Sequence, residues 1–132
     1  MKYLLDTHAL LWVLFEDNKL SKKAKLAIRN PKSEVYVSVI SFWEISLKFS
    51  LGKLELQRTN PEHLLKSTIN IGIDLVGLSA DQAATFYHLP RMEHKDLFDR
   101  LIIWQDINQN FVLISKDRIL EKYRDFGLKI LW

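Results

Sequence analysis

Lys2-Tyr3-Leu4-Leu5-Asp6-Thr7-His8-Ala9-Leu10-Leu11-Trp12 changes its periodicity at a carboxylate. Lys2–Asp6 is short and mostly apolar, and reads as a buried strand. From Thr7 to Phe15 the pattern turns helical, with Leu10, Leu11 and Leu14 on one face. A strand that hands over directly to a helix is the building unit of a parallel α/β sheet.

Outward from that stretch the alternation repeats. Ser21 is placed to cap a helix over 22–29, and Asn30-Pro31 closes it, because the residue before proline is pushed out of the helical region. Glu34–Val39 is rich in β-branched and aromatic residues and predicts a second strand. A helix is expected from Ser41 to Leu51, stopped by Gly52. Pro61 suits the first turn of another, through Ile71. Gly72–Leu78 reads as a third strand, and Ser79 as the cap of a helix through His88. After a polar loop at Pro90–Lys95, Asp96 opens the longest helix, to about Asn110. A fourth strand over 111–115, a helix over 118–126 and a last strand over 128–132 complete the chain. The expected fold class is α/β: a three-layer α/β/α sandwich with a central parallel sheet, built from residues 1–132 as one domain.

Bulk composition narrows the chemistry. The 132 residues are 48% hydrophobic and 27% charged, ordinary for a soluble globular protein. Nineteen Lys+Arg against sixteen Asp+Glu give +3, which permits a polyanionic partner without demanding one. With no cysteine, disulfides, thiolate nucleophiles and Cys-based zinc sites are excluded. The four glycines form no phosphate loop and no dinucleotide fingerprint, and no G-x-S-x-G elbow occurs. The apolar stretch after Lys2 is broken at Asp6, so no signal peptide is expected. Ala9–Phe15, the longest apolar run, falls short of the ~20 residues that span a bilayer. A cytoplasmic protein without a membrane partner is the expectation.

Four acids stand where such a fold places an active site: Asp6, Glu44, Asp99 and Asp117. Ligands in open α/β sheets bind beyond the carboxyl ends of the strands; Asp6 closes the first strand, and Asp117 lies two residues past Ser115. Carboxylates gathered at one point repel unless a cation sits between them, and a hard divalent ion such as Mg²⁺ is the usual occupant. Carboxylate-held Mg²⁺ commonly serves phosphoryl chemistry. Each acid also has an ordinary reading. Asp6 and Asp117 can be helix N-caps, and Asp96 with Asp99 a cap and a first-turn acid. Glu44 shares helical phase with Ile40, Leu47 and Leu51, inside an apolar stripe, so it needs a partner there. Lys48 at i+4 is one choice, and a metal or its water shell another. Asp96, Thr7 and Ser115 are auxiliary candidates, the hydroxyls as partners of carboxylates or metal-bound water or as turn caps. Lys48, Lys95, Arg100, Lys116 and Arg118 are candidate contacts to a phosphate backbone, or solvated surface charges. The four histidines have no metal-ligand spacing, although His8 and His94 lie near acids. The tryptophans read as core or interface residues.

These residues match a known pattern. Leu4–Trp12 resembles the opening of PIN-domain ribonucleases, specifically the VapC-like toxins of bacterial toxin–antitoxin pairs. Val37–Ile45 is similar to that family's second motif, Leu89-Pro90 with His94–Ile102 to its third, and Phe111–Asp117 to its fourth. The likeness covers essentially the whole chain, with the motifs in order. It implies an α/β/α sandwich and a Mg²⁺- or Mn²⁺-dependent endoribonuclease whose quartet is Asp6, Glu44, Asp99 and Asp117. Asp6, Asp99 and Asp117 would be direct ligands, with Glu44 orienting a water. The resemblance also implies a homodimer, an RNA substrate and a small cognate antitoxin that blocks the site. Two positions depart from the pattern: Leu97 stands where proline is frequent, and Ile103-Trp104 where small residues are usual. Two other readings compete. An aspartyl phosphatase would want Asp-x-Asp after the first strand, and a receiver domain an acidic pair there; neither is present. A PIN-like module that binds RNA or protein without cutting is the alternative of a different class.

Overall fold

A computed structural model describes residues 1–92 and 96–132. His94 and Lys95, both candidates by sequence, lie outside the described residues. Five strands, β1 (Lys2–Leu5), β2 (Glu34–Ser38), β3 (Asp74–Val76), β4 (Val112–Ile114) and β5 (Ile130–Leu131), form one sheet in the order β3-β2-β1-β4-β5. Every pairing is parallel. The helices are α1 (Thr7–Phe15), α2 (Lys22–Arg29), α3 (Val39–Ser50), α4 (Pro61–Asn70), α5 (Ala80–Thr85) and α6 (Leu97–Gln109). The chain runs outward from β1 through β2 to β3, then returns to the other side of β1 for β4 and β5. The strand order therefore reverses between β1 and β4, where open α/β sheets form their binding crevice.

Alternation along the strands divides the core between two faces. Tyr3, Leu5, Val35 and Val37 pack with Ala9, Leu10, Ala24, Ala27 and Leu64 from α1, α2 and α4. Leu4 and Leu113 face the other way, onto Leu101, Ile102 and Ile103 of α6 with Leu120 and Tyr123. Helix α3 serves both clusters, through Ile45 and Ile40 respectively.

Most boundaries follow the expected caps. The Ser21 hydroxyl accepts from the Ala24 amide at 3.1 Å, Pro61 opens α4, and Ser79 with Gln82 completes a reciprocal capping box. Leu97 occupies the first helical position after the Asp96 cap, a place equally suited to proline, so that departure costs nothing locally.

Four expectations are corrected. Helix α3 starts at Val39, because the Ser38 hydroxyl caps it by accepting from the Ile40 amide at 3.0 Å. The third strand is only Asp74–Val76, since Gly72 turns the chain at φ +90°. The helix expected to reach His88 ends at Thr85 and tightens into a 3₁₀ turn over Phe86–His88. Arg118–Phe126 is 3₁₀ throughout. Its buried anchors, Leu120 and Tyr123, are three residues apart, which matches three residues per turn.

One core residue works against folding. Asp106 of α6 has no exposed surface, and neither of its carboxylate oxygens has a hydrogen-bond partner among the described residues. Burial pushes its carboxyl up to about 8, partly opposed by Lys129. A group with a higher pKa folded than unfolded stabilises the fold at low pH and loses that advantage as pH rises. Asp106 should cost little below about pH 4 and progressively more toward its folded pKa. Urea midpoints of Asp106→Asn should therefore match the wild type near pH 4 and exceed it at neutral pH. The gain should be on the order of 4 kcal/mol at pH 7. Parallel pH profiles for the two proteins would remove this assignment.

Candidate active site

Register places the first two acids. The Asp6 amide donates to the Ile114 carbonyl at 3.1 Å, continuing the β1–β4 ladder past the last strand residue. Asp6 thus stands level with Ser115, whose hydroxyl favours the charged form of its carboxylate. The Ser115 hydroxyl also accepts from the Asp117 amide at 3.1 Å. Both acids cap the helical segments that begin after them, as their ordinary readings required: Asp6 Oδ1 accepts from Ala9 at 2.8 Å, and Asp117 Oδ1 from Ile119 at 3.0 Å. Each cap uses one oxygen and leaves the other for a further partner. Burial is the main cause that raises the Asp6 pKa, and the Asp117 charge adds to it. The Ser115 and Ala9 hydrogen bonds and the nearby His8 oppose the rise.

A buried bond leads on to α3. The Thr7 hydroxyl donates to the Ser41 hydroxyl at 3.0 Å, tying the start of α1 to the first turn of α3. One turn later comes Glu44, only 4% exposed. Its buried neighbours along the helix are Ile40, Ser41 and Ile45, whereas Leu47 and Leu51 face solvent. The apolar stripe expected through Leu47 and Leu51 is therefore rotated, although Glu44 is buried as expected. Lys48 Nζ donates to Glu44 Oε2 at 2.5 Å, while Glu44 Oε1 is buried without a hydrogen-bond partner among the described residues. That bond is the largest cause that raises the Lys48 pKa, and the charges of Asp96 and Asp99 contribute. Lys48 therefore links α3 electrostatically to the start of α6. There Asp96 caps the helix, accepting from the Asp99 amide at 3.0 Å. Trp43 and Phe98 meet edge to face at 5.4 Å across the same junction.

Asp6 with Asp117, and Glu44 with Asp96 and Asp99 around Lys48, thus form two groups joined through Thr7 and Ser41. Among the described residues no three His, Asp or Glu side chains come close enough together to hold a metal ion. The donor set nevertheless fits a hard cation. Mg²⁺ typically takes one or two protein carboxylates and keeps several waters. A desolvated carboxylate beside a second one, with an unpartnered buried oxygen further along the row, favours such an ion.

The basic candidates separate. Arg100 is turned inward: its guanidinium lies 4.8 Å from the Phe86 ring centre and donates to the Leu89 carbonyl at 3.2 Å. It braces the approach to α6 through that aromatic face and that carbonyl. Lys48 is engaged by Glu44. Lys116 and Arg118 are exposed and line a cleft of about 480 Å³ with Asp117. A second cleft, lined by Asp6, His8, Trp12, Lys116 and Asp117, adjoins it. Ser41, Lys23 and Trp132 went unnoticed in the sequence as neighbours of these groups. No spacing signal marks them, because each comes from a different element.

The residues from Tyr3 to Asp125 match the model of the PIN domain. Ribonuclease VapC22 of Mycobacterium tuberculosis is 31% identical over 121 residues, covering 92% of this chain and 91% of that protein. This chain belongs to the PIN-domain family, on its VapC branch. The sequence motifs implied this same family. The fold agrees with solved structures of low identity. VapBC2 from Rickettsia felis, bound to a promoter DNA fragment, aligns with TM-score 0.73 at 16% identity, covering 99% of this chain and 98% of that one. VapBC-5 from Mycobacterium tuberculosis aligns with TM-score 0.63 at 15% identity, covering 98% and 97%. No helix among the described residues is long and apolar enough to cross a membrane.

Removing the Glu44 partner should expose the cost of this arrangement. In metal-free buffer, Lys48→Ala leaves a buried carboxylate uncompensated and should cost about 1–3 kcal/mol in urea unfolding. Adding Glu44→Gln should return most of that loss, since a neutral amide needs no counter-charge. Equal stability of the single and double variants would show the pair to be uncoupled.

Proposed function

We propose that this VapC-like ribonuclease is a Mg²⁺- or Mn²⁺-dependent endoribonuclease whose site is the quartet Asp6, Glu44, Asp99 and Asp117. The observation that carries this reading is the placement of Asp6 and Asp117 in one cleft at the strand-order reversal, two acids beside each other with a cation's place between them. Asp6, Asp99 and Asp117 are the carboxylates that would hold the ion directly, and Glu44 would orient a water of its shell. A bound ion of this kind supplies a water of lowered pKa and stabilises charge on the cleaved phosphodiester. The protein's own part is positional. Ser115 orients Asp6, and the Thr7–Ser41 bond holds α1 against α3 at the turn before Glu44. Lys48 keeps the Glu44 carboxylate fixed. Asp96 fixes the first turn of α6, on which Asp99 sits. Lys116 and Arg118 are offered to substrate phosphates.

The partners follow from the same reading. A small cognate antitoxin is proposed to cover the site, in keeping with structural neighbours that are themselves toxin–antitoxin complexes. A homodimer suits the apolar surface that α3 presents, where Val39, Trp43 and Leu47 recur at four-residue intervals and are 41%, 54% and 41% exposed. The cytoplasm, where RNA is met, is the proposed location.

Purified wild type should cut RNA with Mg²⁺ or Mn²⁺ and stop in EDTA. Asp6→Asn and Asp99→Asn should each lower the rate by more than about 100-fold while leaving the fold intact by circular dichroism. Full activity in either variant would remove that acid from the site. No metal-dependent cutting of any RNA by folded, partner-free protein would favour the non-catalytic module.

A further inference from the structure

The larger cleft beside the acids extends well beyond the row of carboxylates. It runs from Asp117 over β5 to the N-terminal turn of α2. Its floor includes Val112, Ile130 and Leu131, and Trp132 forms part of its wall. Four cations reach it from separate elements: Lys23 from α2, Lys116 from the turn after β4, and Arg118 and Arg124 from the 3₁₀ segment. Arg124 is held in place by Glu121 and by the Ile130 carbonyl, at 3.1 Å from the latter. Lys23 and Lys116 take part in no salt bridge among the described residues.

Cations this far apart in sequence meet here only because α2 and the 3₁₀ segment flank the same strand edge. Unpaired cations along a groove suit a polyanion better than a compact acid. Aromatic faces are the second element. Lys116 Nζ lies 5.9 Å from the centre of the Trp12 ring, which in turn packs on Trp132 at 5.6 Å. Basic side chains interleaved with indole rings are the pattern by which proteins hold single-stranded nucleic acid, phosphates on the cations and bases on the rings.

We propose that the groove lined by Lys23, Lys116, Arg118 and Trp132 is a single-stranded RNA subsite that carries the strand away from the scissile phosphate. It rests on the nuclease reading and deepens it. In this assignment Lys23 is a positioning residue remote from the acids, and it acts on substrate binding alone.

The test measures affinity for a fluorescent single-stranded oligoribonucleotide across a salt series, with protein in EDTA so that nothing is cut. The slope of log affinity against log salt should fall by about 0.7 for Lys23→Ala and again for Arg118→Ala. Lys23→Arg should retain it, and Lys32→Ala, outside the groove, should change nothing. Trp132→Leu should weaken binding about tenfold, with Trp132→Phe restoring most of it. With metal present, Lys23→Ala should raise KM several-fold and leave kcat near wild type. An unchanged salt slope and KM in Lys23→Ala would overturn the subsite. So would equal competition by a duplex of the same sequence, or by a poly-glutamate peptide, the second pointing to an acidic protein partner. Lys23-dependent RNA binding without any metal-dependent cutting by wild type would sink the nuclease reading and leave the groove standing. No RNA binding by wild type would overturn both.

Discussion

Parallel pairing of β1 with β4 is the constraint on which the site depends. The chain leaves β1 to build one half of the sheet and comes back to build the other, so neighbouring strand ends belong to distant parts of the sequence. The Asp6–Ile114 backbone bond carries that pairing one residue past the strands. It brings Asp6 against Ser115 and within electrostatic reach of Asp117. Two carboxylates so placed are unfavourable unless a cation joins them. The sheet can hold them there because its core is continuous on both faces, and the local penalty is small against that total.

Helix α3 extends the same logic. A buried glutamate is tolerable only with a cation and hydrogen bonds, and Lys48 supplies one of each. The remaining oxygen of Glu44 has no hydrogen-bond partner among the described residues, which is poor for stability and leaves an acceptor open to a further partner. Asp106 is a different case. It is buried in α6, its chemistry is unused by the acidic row, and its burden is carried by protonation. The two buried acids on neighbouring helices thus answer desolvation in different ways, one by pairing and one by neutralising.

Around this row the surface divides by chemistry. The edge beyond β4 and β5 is basic and aromatic and suits a phosphate chain. The outer face of α3 is apolar and suits another protein. Arg100, which looks in sequence like part of the basic set, also packs between α6 and the segment before it. Charge read along a chain does not say whether an arginine faces solvent or an aromatic ring.

The sequence by itself determined the α/β class, the order of its elements and most helix caps, and it singled out four candidate acids. Those features are written locally, in periodicity, in cap residues and in motifs where strand passes to helix. It did not determine the ends of β3 and α5, the 3₁₀ winding of Arg118–Phe126, or which way Leu47 and Leu51 face. Each of these is settled by what the neighbouring elements leave room for. Only the tertiary structure joined Thr7 to Ser41, turned Arg100 inward and brought Lys23 beside Trp132. The physical reason is that hydrogen bonds, desolvation and packing act on distance in space, and a parallel sheet makes neighbours of residues that lie many tens of positions apart in the chain.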